Sequence, residues 1–361
     1  MKNPLKHRQV FDYLCEAIEA GIFVPGRRLP SERMLAEELE VNVATVRRAF
    51  RDLIAGGVVE KRVGDGTYIC VRPKGPRENI INFILSNYEG DVQRELVKLA
   101  VEEGKRLGVG CRISYAGSAD LVMQIRTFLR FRQPTVILGD SSIGEEAIRE
   151  IGRAPGLFVV IANRLDHLGI PSVIGNDYAG INILVHRLRE LGHRSIALLH
   201  NNSGHPIENI QIAVWRSVTG GGSPELRADV PTGAHPTAYA FQAVGRAVAR
   251  GERFSALITL NDELAQGALA AFSENGVRVP EQMSLISIGD SLFSRYSVPP
   301  LTALNPNLAE HIRQGFELLA RNRLHSGAPE LLRLVAPALV IRKSDSAVSS
   351  VTTQPRETTV S

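Results

Sequence analysis

Between Val41 and Arg51 the chain places Arg47, Arg48 and Arg51 beside Thr45, with no acid among them. Guanidinium groups repeated along a short segment suit phosphate oxygens and the guanine edge, where two parallel N–H donors can be offered at once. The plainer reading of the same run is a solvated helix face. Elsewhere, single polar residues close apolar runs: Asn163 after Leu157–Ala162, Asn261 after Ala256–Leu260, and Asp290 just after Leu285–Ile288. Amides and carboxylates at strand ends offer the mixed donors and acceptors that polyol hydroxyls need. The competing reading is that they cap the helices that follow. Capping is expected for Asp177 and Asp262, and ligand contact for Asn261 and Asp290.

Catalytic constellations are sparse. Gly289-Asp290-Ser291-Leu292 spells a serine-esterase motif, and Gly139-Asp140-Ser141-Ser142 nearly does. A serine nucleophile needs a histidine base within hydrogen-bond reach. Only His311 and His325 follow Gly289, and neither lies three residues after an Asp, as that esterase pattern requires. No phosphate-binding Gly loop and no Gly-x-Ser-x-Gly elbow occurs. His193 reads as a structural turn residue. Cys15, Cys70 and Cys111 lie far apart and match no metal or redox spacing. An enzyme, a cofactor and a metal centre are therefore not expected.

The elements that would position these residues follow from patterning. The 361 residues, 44% hydrophobic and 22% charged with net charge +4, suit about two soluble domains. Residues 1–75 hold 13 Lys/Arg against 10 Asp/Glu, whereas the rest of the chain is nearly balanced. No apolar run approaches the ~20 residues of a membrane span, and no secretory leader pattern is visible, so a reduced cytoplasm is the expected location. Residues 1–71 read as three helices and a hairpin: Leu5–Ala20, a helix capped by Ser31, a helix from Asn42 to about Ala55, then Val58–Val63 and Thr67–Val71 around Gly64-Asp65-Gly66. That pattern is a winged helix-turn-helix, whose third helix enters the major groove. Residues 72–78 read as a linker and 344–361 as a disordered tail. Between them, residues 79–343 alternate strand and helix, as in parallel sheets with both faces covered.

Two resemblances sharpen this. Gly21–Ala36, Val41–Ala49 and the Gly64–Thr67 wing together resemble the GntR family of bacterial regulators across residues 7–71. Carried over by position, the resemblance implies DNA contacts from Ser31, Arg33, Thr45, Arg47 and Gly66, to which the helix itself adds Arg48; Val43 stands where many members have arginine. Asn176–Gly180, Leu188–Ala197, Leu260–Ala268, Asn275–Pro280, Ser287–Asp290 and Pro299–Thr302 resemble the LacI/GalR effector domain. That implies an α/β periplasmic-binding-protein-like fold of two Rossmann-like lobes, lobe 1 at about 79–174 and 305–331 and lobe 2 at about 176–303 and 332–343. It also implies a small effector, most often a sugar, in the cleft between the lobes, contacted by Asn163, Gln211, Asn261 and Asp290. Gln211 stands where many sugar-binding members have arginine. A GntR-like head on such a body resembles the arabinose-responsive repressors. Other regulators with this head carry an aminotransferase-like body, but that needs a Schiff-base lysine, and no lysine lies between Lys105 and Lys343.

The expectation is a cytoplasmic homodimeric transcriptional regulator, a repressor of a carbohydrate-utilisation operon. It would bind a two-fold symmetric double-stranded DNA operator and respond to a sugar-like effector, without a membrane partner. The alternative is a body that only dimerises or takes a non-sugar effector. A solute-binding transport protein fails on the absent leader and the DNA-binding head.

Overall fold

The structure is a computed structural model that describes residues 4–19, 22–70, 80–85, 90–139, 143–231, 233–324 and 329–348. The linker at 72–78, Asp140–Ser142 and residues 349–361 of the tail lie outside the described residues. The chain forms two compact units, residues 1–174 with 308–333 and residues 175–307 with 334–361, so it crosses between them three times.

The first unit begins with α1 (Pro4–Glu19), α2 (Glu32–Glu38) and α3 (Val43–Ala55), then the hairpin β1 (Val59–Arg62) and β2 (Gly66–Ile69). Helical spacing turns Val10 and Leu14 of α1 onto Val46, Phe50 and Leu53 of α3, with Leu35 of α2 closing the core. The helix starts are where the sequence places them. Ser31 Oγ accepts from the Met34 amide at 3.2 Å, and Asn42 Oδ1 from the Ala44 amide at 2.8 Å. Backbone bonds from Gly26 and Leu29 to β2 seal the segment before α2 onto the wing.

In the same unit, β3 (Ile80–Leu85), β4 (Gly110–Tyr115), β5 (Thr135–Leu138), β6 (Phe158–Ile161), β7 (Ser172–Gly175) and β13 (Leu332–Val335) form one sheet in the order β13-β7-β6-β5-β3-β4. The β4-β3-β5-β6-β7 run is parallel and doubly wound. The head packs directly on this lobe. Met123 of α5 (Ser118–Arg130) joins the head's core. Arg112 Nη1 donates to the Gly56 carbonyl at 3.2 Å, and Arg48 Nη2 meets Asp120 at 3.3 Å.

The second unit repeats the design. Its strands β8 (Ile196–His200), β9 (Glu225–Arg227), β10 (Ala256–Thr259), β11 (Ser284–Ile288), β12 (Thr302–Asn305) and β14 (Ala338–Val340) take the order β14-β12-β11-β10-β8-β9. All neighbours are parallel except the β14 edge. Period-two alternation explains its two cores. Ala197, Leu199, Leu257 and Leu285 face one side, against α9 (Pro236–Ala249) and α10 (Asp262–Glu274). Ile196, Leu198, Ile258 and Ile286 face the other, against α7 (Asp177–Glu190) and Trp215 of α8 (Pro206–Thr219).

The end of this unit differs from the expected disordered tail. The body continues through Val348. Ser344 is fully buried, donating to the Leu285 carbonyl and accepting from the Thr302 amide at 2.8 Å. Asp345 accepts from Arg187 at 2.9 Å and from Thr302, and His193 binds Ser255, Ser284 and the Ser346 carbonyl. Short polar side chains that look like tail composition satisfy buried backbone groups here.

Candidate nucleic-acid interface and strand-end site

The face formed by α2, α3 and the wing carries the expected cations, in unequal roles. Arg33, Arg47 and Arg51 are exposed, and Arg33 and Arg51 make no ion pair among the described residues. Arg47 donates through Nε to Glu32 Oε2 at 2.8 Å. Arg48, one residue on, is turned toward Asp120 of α5 instead. Thr45 is half-buried near the start of α3, and Ser31 is exposed, its oxygen occupied as the cap of α2. Gly66 has φ +121°, and a Cβ there would lie 2.4 Å from the Arg28 guanidinium. The left-handed backbone at 66 favours glycine, and any side chain there would have to displace the Arg28 guanidinium. Arg62 stacks on the Tyr68 ring at 4.2 Å, and Tyr68 donates to Asp65 at 2.9 Å, which stiffens the hairpin. Cationic side chains around two helix N-termini and a stiff wing are equipped to take phosphates and a base edge.

In a doubly wound sheet, ligands sit outside the carboxyl ends of the strands, at the point where strand order reverses. In the second unit that point lies between β8 and β10, and Asn261 stands two residues past the end of β10 there. Its Oδ1 caps α10, accepting from the Leu264 amide at 2.7 Å. Gln211 is buried on α8, and its Nε2 donates to Asp177 Oδ1 at 2.8 Å, so it meets the start of α7 as half of a pair. Burial pushes the Asp177 carboxyl above its usual range, with the Gln211 hydrogen bond and His205 acting in the opposite sense. In the first unit, Asn163 follows β6 and its Nδ2 lies 3.2 Å from where a Cβ on Gly139, at the end of β5, would fall.

The two aspartates expected from motifs are both engaged internally. Asp290 has φ +81° and its carboxylate takes Arg342 on one oxygen; on the other it takes Asn305 at 2.9 Å and Arg295 at 3.4 Å. It ties the β11–α11 turn to the chain after β14, with α11 spanning Leu292–Tyr296. Asp262 does not cap α10, since Asn261 does; it accepts instead from Ser287 at 2.5 Å, Ser294 at 2.7 Å and the Ser291 amide at 2.8 Å. The esterase-like tetrapeptide is thus a turn organised by Asp262.

Sequence reasoning missed a third cluster. His200, the last residue of β8, lies 3.0 Å from the Asn202 amide through Nδ1 and 3.2 Å from Glu225 through Nε2. Glu208 accepts from the Asn202 amide at 3.1 Å and the Ser203 amide at 2.7 Å. Burial opposes its charge, but His200 and Ser203 outweigh it and hold the carboxyl at about 2. The loop at the strand-order reversal is thereby fixed. A histidine ending the apolar run Ile196–Leu199 was the available signal.

A winged helical head on two doubly wound α/β lobes of the LacI effector-domain type is the class these features define. Residues 6–69 match the family of bacterial regulatory proteins, gntR family, and residues 185–344 match the periplasmic binding protein-like domain. The chain is 25% identical over 301 residues to the HTH-type transcriptional regulator AscG of Escherichia coli, covering 78% of this chain and 88% of that protein. It is 38% identical over 111 residues to the regulator GalR of Escherichia coli, a match spanning 30% of this chain and 32% of GalR. In structure it resembles the Lac repressor dimer bound to operator and the anti-inducer ONPF, with TM-score 0.63 and 21% identity over 76% of this chain and 96% of that one. Among the described residues no helix is long and apolar enough to cross a membrane, and no three His, Cys, Asp or Glu side chains group as a metal site.

Proposed function

We propose that the protein is a DNA-binding transcriptional regulator switched by a small molecule, acting in the cytoplasm as a homodimeric repressor rather than as an enzyme. The observation that carries this reading is the exposed cationic face of α2 and α3, with Arg33 in the first turn of α2 and Arg47 and Arg51 along α3. The relatives named above, all regulators, support it. Two heads in a two-fold dimer would read a two-fold symmetric operator.

The effector belongs at the carboxyl ends of the parallel strands. Asn261, Gln211 and Asp177 in the second unit and Asn163 in the first offer amides and one carboxylate to hydroxyl groups. No arginine stands at position 211, which counts against an acidic ligand and against the bidentate sugar contact of many members of the resembled family. A neutral sugar is the first candidate, a pentose in particular given the resemblance to arabinose-responsive repressors. Asp290 serves this site indirectly, by fixing the turn after β11. Selection of the full chain against a random duplex library, followed by a thermal-shift panel of sugars, tests the reading. An enriched palindromic motif and a single sugar hit are expected; no enriched motif overturns it.

A further inference from the structure

Glu32 is the first residue of α2, set directly behind the Ser31 cap, and lies 15 residues before its partner. Its Oε2 accepts from Arg47 Nε at 2.8 Å, although the Arg47 side chain is 60% exposed. An exposed pair of this kind adds little to stability, so its consequence is geometric. A guanidinium can meet the two acceptors of guanine, O6 and N7, with Nε and one Nη, or end-on with both Nη groups. Glu32 occupies Nε and with it the in-plane edge that the first arrangement needs. Both Nη groups remain without a hydrogen bond among the described residues. The neighbouring cations lack this arrangement: Arg48 is held by Asp120, while Arg33 and Arg51 make no ion pair among the described residues.

We propose that Glu32 is a positioning residue that fixes specificity, orienting Arg47 so that its two Nη groups read one guanine end-on in each half-site. This rests on the DNA-binding reading above. The carboxylate itself need not touch DNA; it removes the rotational freedom of the guanidinium and with it the tolerance for other bases.

The test uses the full chain as wild type, E32A, E32Q, R47A and E32A/R47A. Each is checked for a normal unfolding midpoint and then assayed by anisotropy on the duplex selected by wild type and on its single-pair variants. The pair of interest is the one at which R47A loses discrimination. E32A should lose roughly tenfold of the preference at that pair alone, with affinity for unrelated duplex not reduced. E32Q, which still offers an oxygen to Nε, should retain most of the preference. E32A should add nothing in the R47A background. Preference untouched by E32A would overturn the proposal. So would E32A and E32Q raising affinity for every duplex alike, because Glu32 would then only dilute positive charge. A wild type with no preferred duplex is a different failure: it removes the DNA-binding reading and this proposal together.

Discussion

The guanidinium of Arg112 fills the space that a side chain on Gly57 would need, 2.2 Å from where its Cβ would lie. Gly57 also has φ +62°, and the preceding Gly56 has its own Cβ space filled by the Thr127 methyl at 2.2 Å. The end of α3 is therefore seated on β4 and α5 of the first lobe through two glycines. A shift of that lobe would be felt at the end of α3 by direct contact.

Gly57→Ala should break this seat, through both the left-handed backbone and the clash with Arg112. Arg112→Ala should do so more mildly, since it removes the hydrogen bond to the Gly56 carbonyl and leaves Asn82 with one donor fewer. We expect losses of about 2 and about 1 kcal/mol. Calorimetry should show the head's unfolding separating from that of the first lobe in both variants; a single unchanged transition would refute the seat.

Asp290→Ala leaves Arg342 without its principal partner in a buried setting. Such losses cost about 3 kcal/mol, which in a body of this size is several degrees in midpoint. The drop should appear with or without effector. Asn261→Ala and Gln211→Ala are therefore the cleaner probes of ligand contact. If Asp290→Ala unfolds like wild type, its internal role is wrong.

Glu208 contributes stability because its folded-state pKa is depressed from 4.5 to about 2. That contribution is complete above the unfolded value and is lost as pH falls from about 4.5 toward 2. Glu208→Gln should cost on the order of 2–3 kcal/mol at pH 7 and progressively less across that window. A penalty independent of pH would contradict the assignment.

Asp177 runs the opposite way. A carboxyl raised by burial binds its proton more tightly when folded, so its cost is absent below the ordinary 3.8 and appears as pH rises above it. Asp177→Asn keeps an acceptor for Gln211 and should make the second unit at least as stable as wild type at pH 7, with the difference vanishing near pH 3. In the same variant the response to a sugar should fall. Unchanged ligand affinity would remove Asp177 from the effector site.

What was legible in the sequence had local causes. Ser31 and Asn42 cap because short polar side chains precede amphipathic runs, and the alternating apolar strands set the doubly wound lobes. Helices α8 and α9 begin after His205 and His235, each followed by proline; only His205 caps through its side chain, and the unusual starts hid both helices although proline at the first turn was a usable sign. The partners of Asp290 were not legible, since Arg342 lies 52 residues away and meets it only through the β14 edge. The seating of Gly56 and Gly57 on Arg112 and Thr127 is long-range in the same sense. Ser344–Val348 looked like tail because burial of small polar residues depends on backbone groups that the fold alone brings near.

The central claim is that one chain couples a sequence-specific DNA contact to a small ligand. Its most direct test is the dissociation constant of the full chain for its selected duplex, measured with and without the sugar that shifts its unfolding midpoint. A change of roughly five- to 150-fold is expected, the range of ordinary coupling energies, abolished by Gln211→Ala and by Asn261→Ala. A ligand that binds and stabilises the protein yet leaves the duplex affinity unchanged would contradict it.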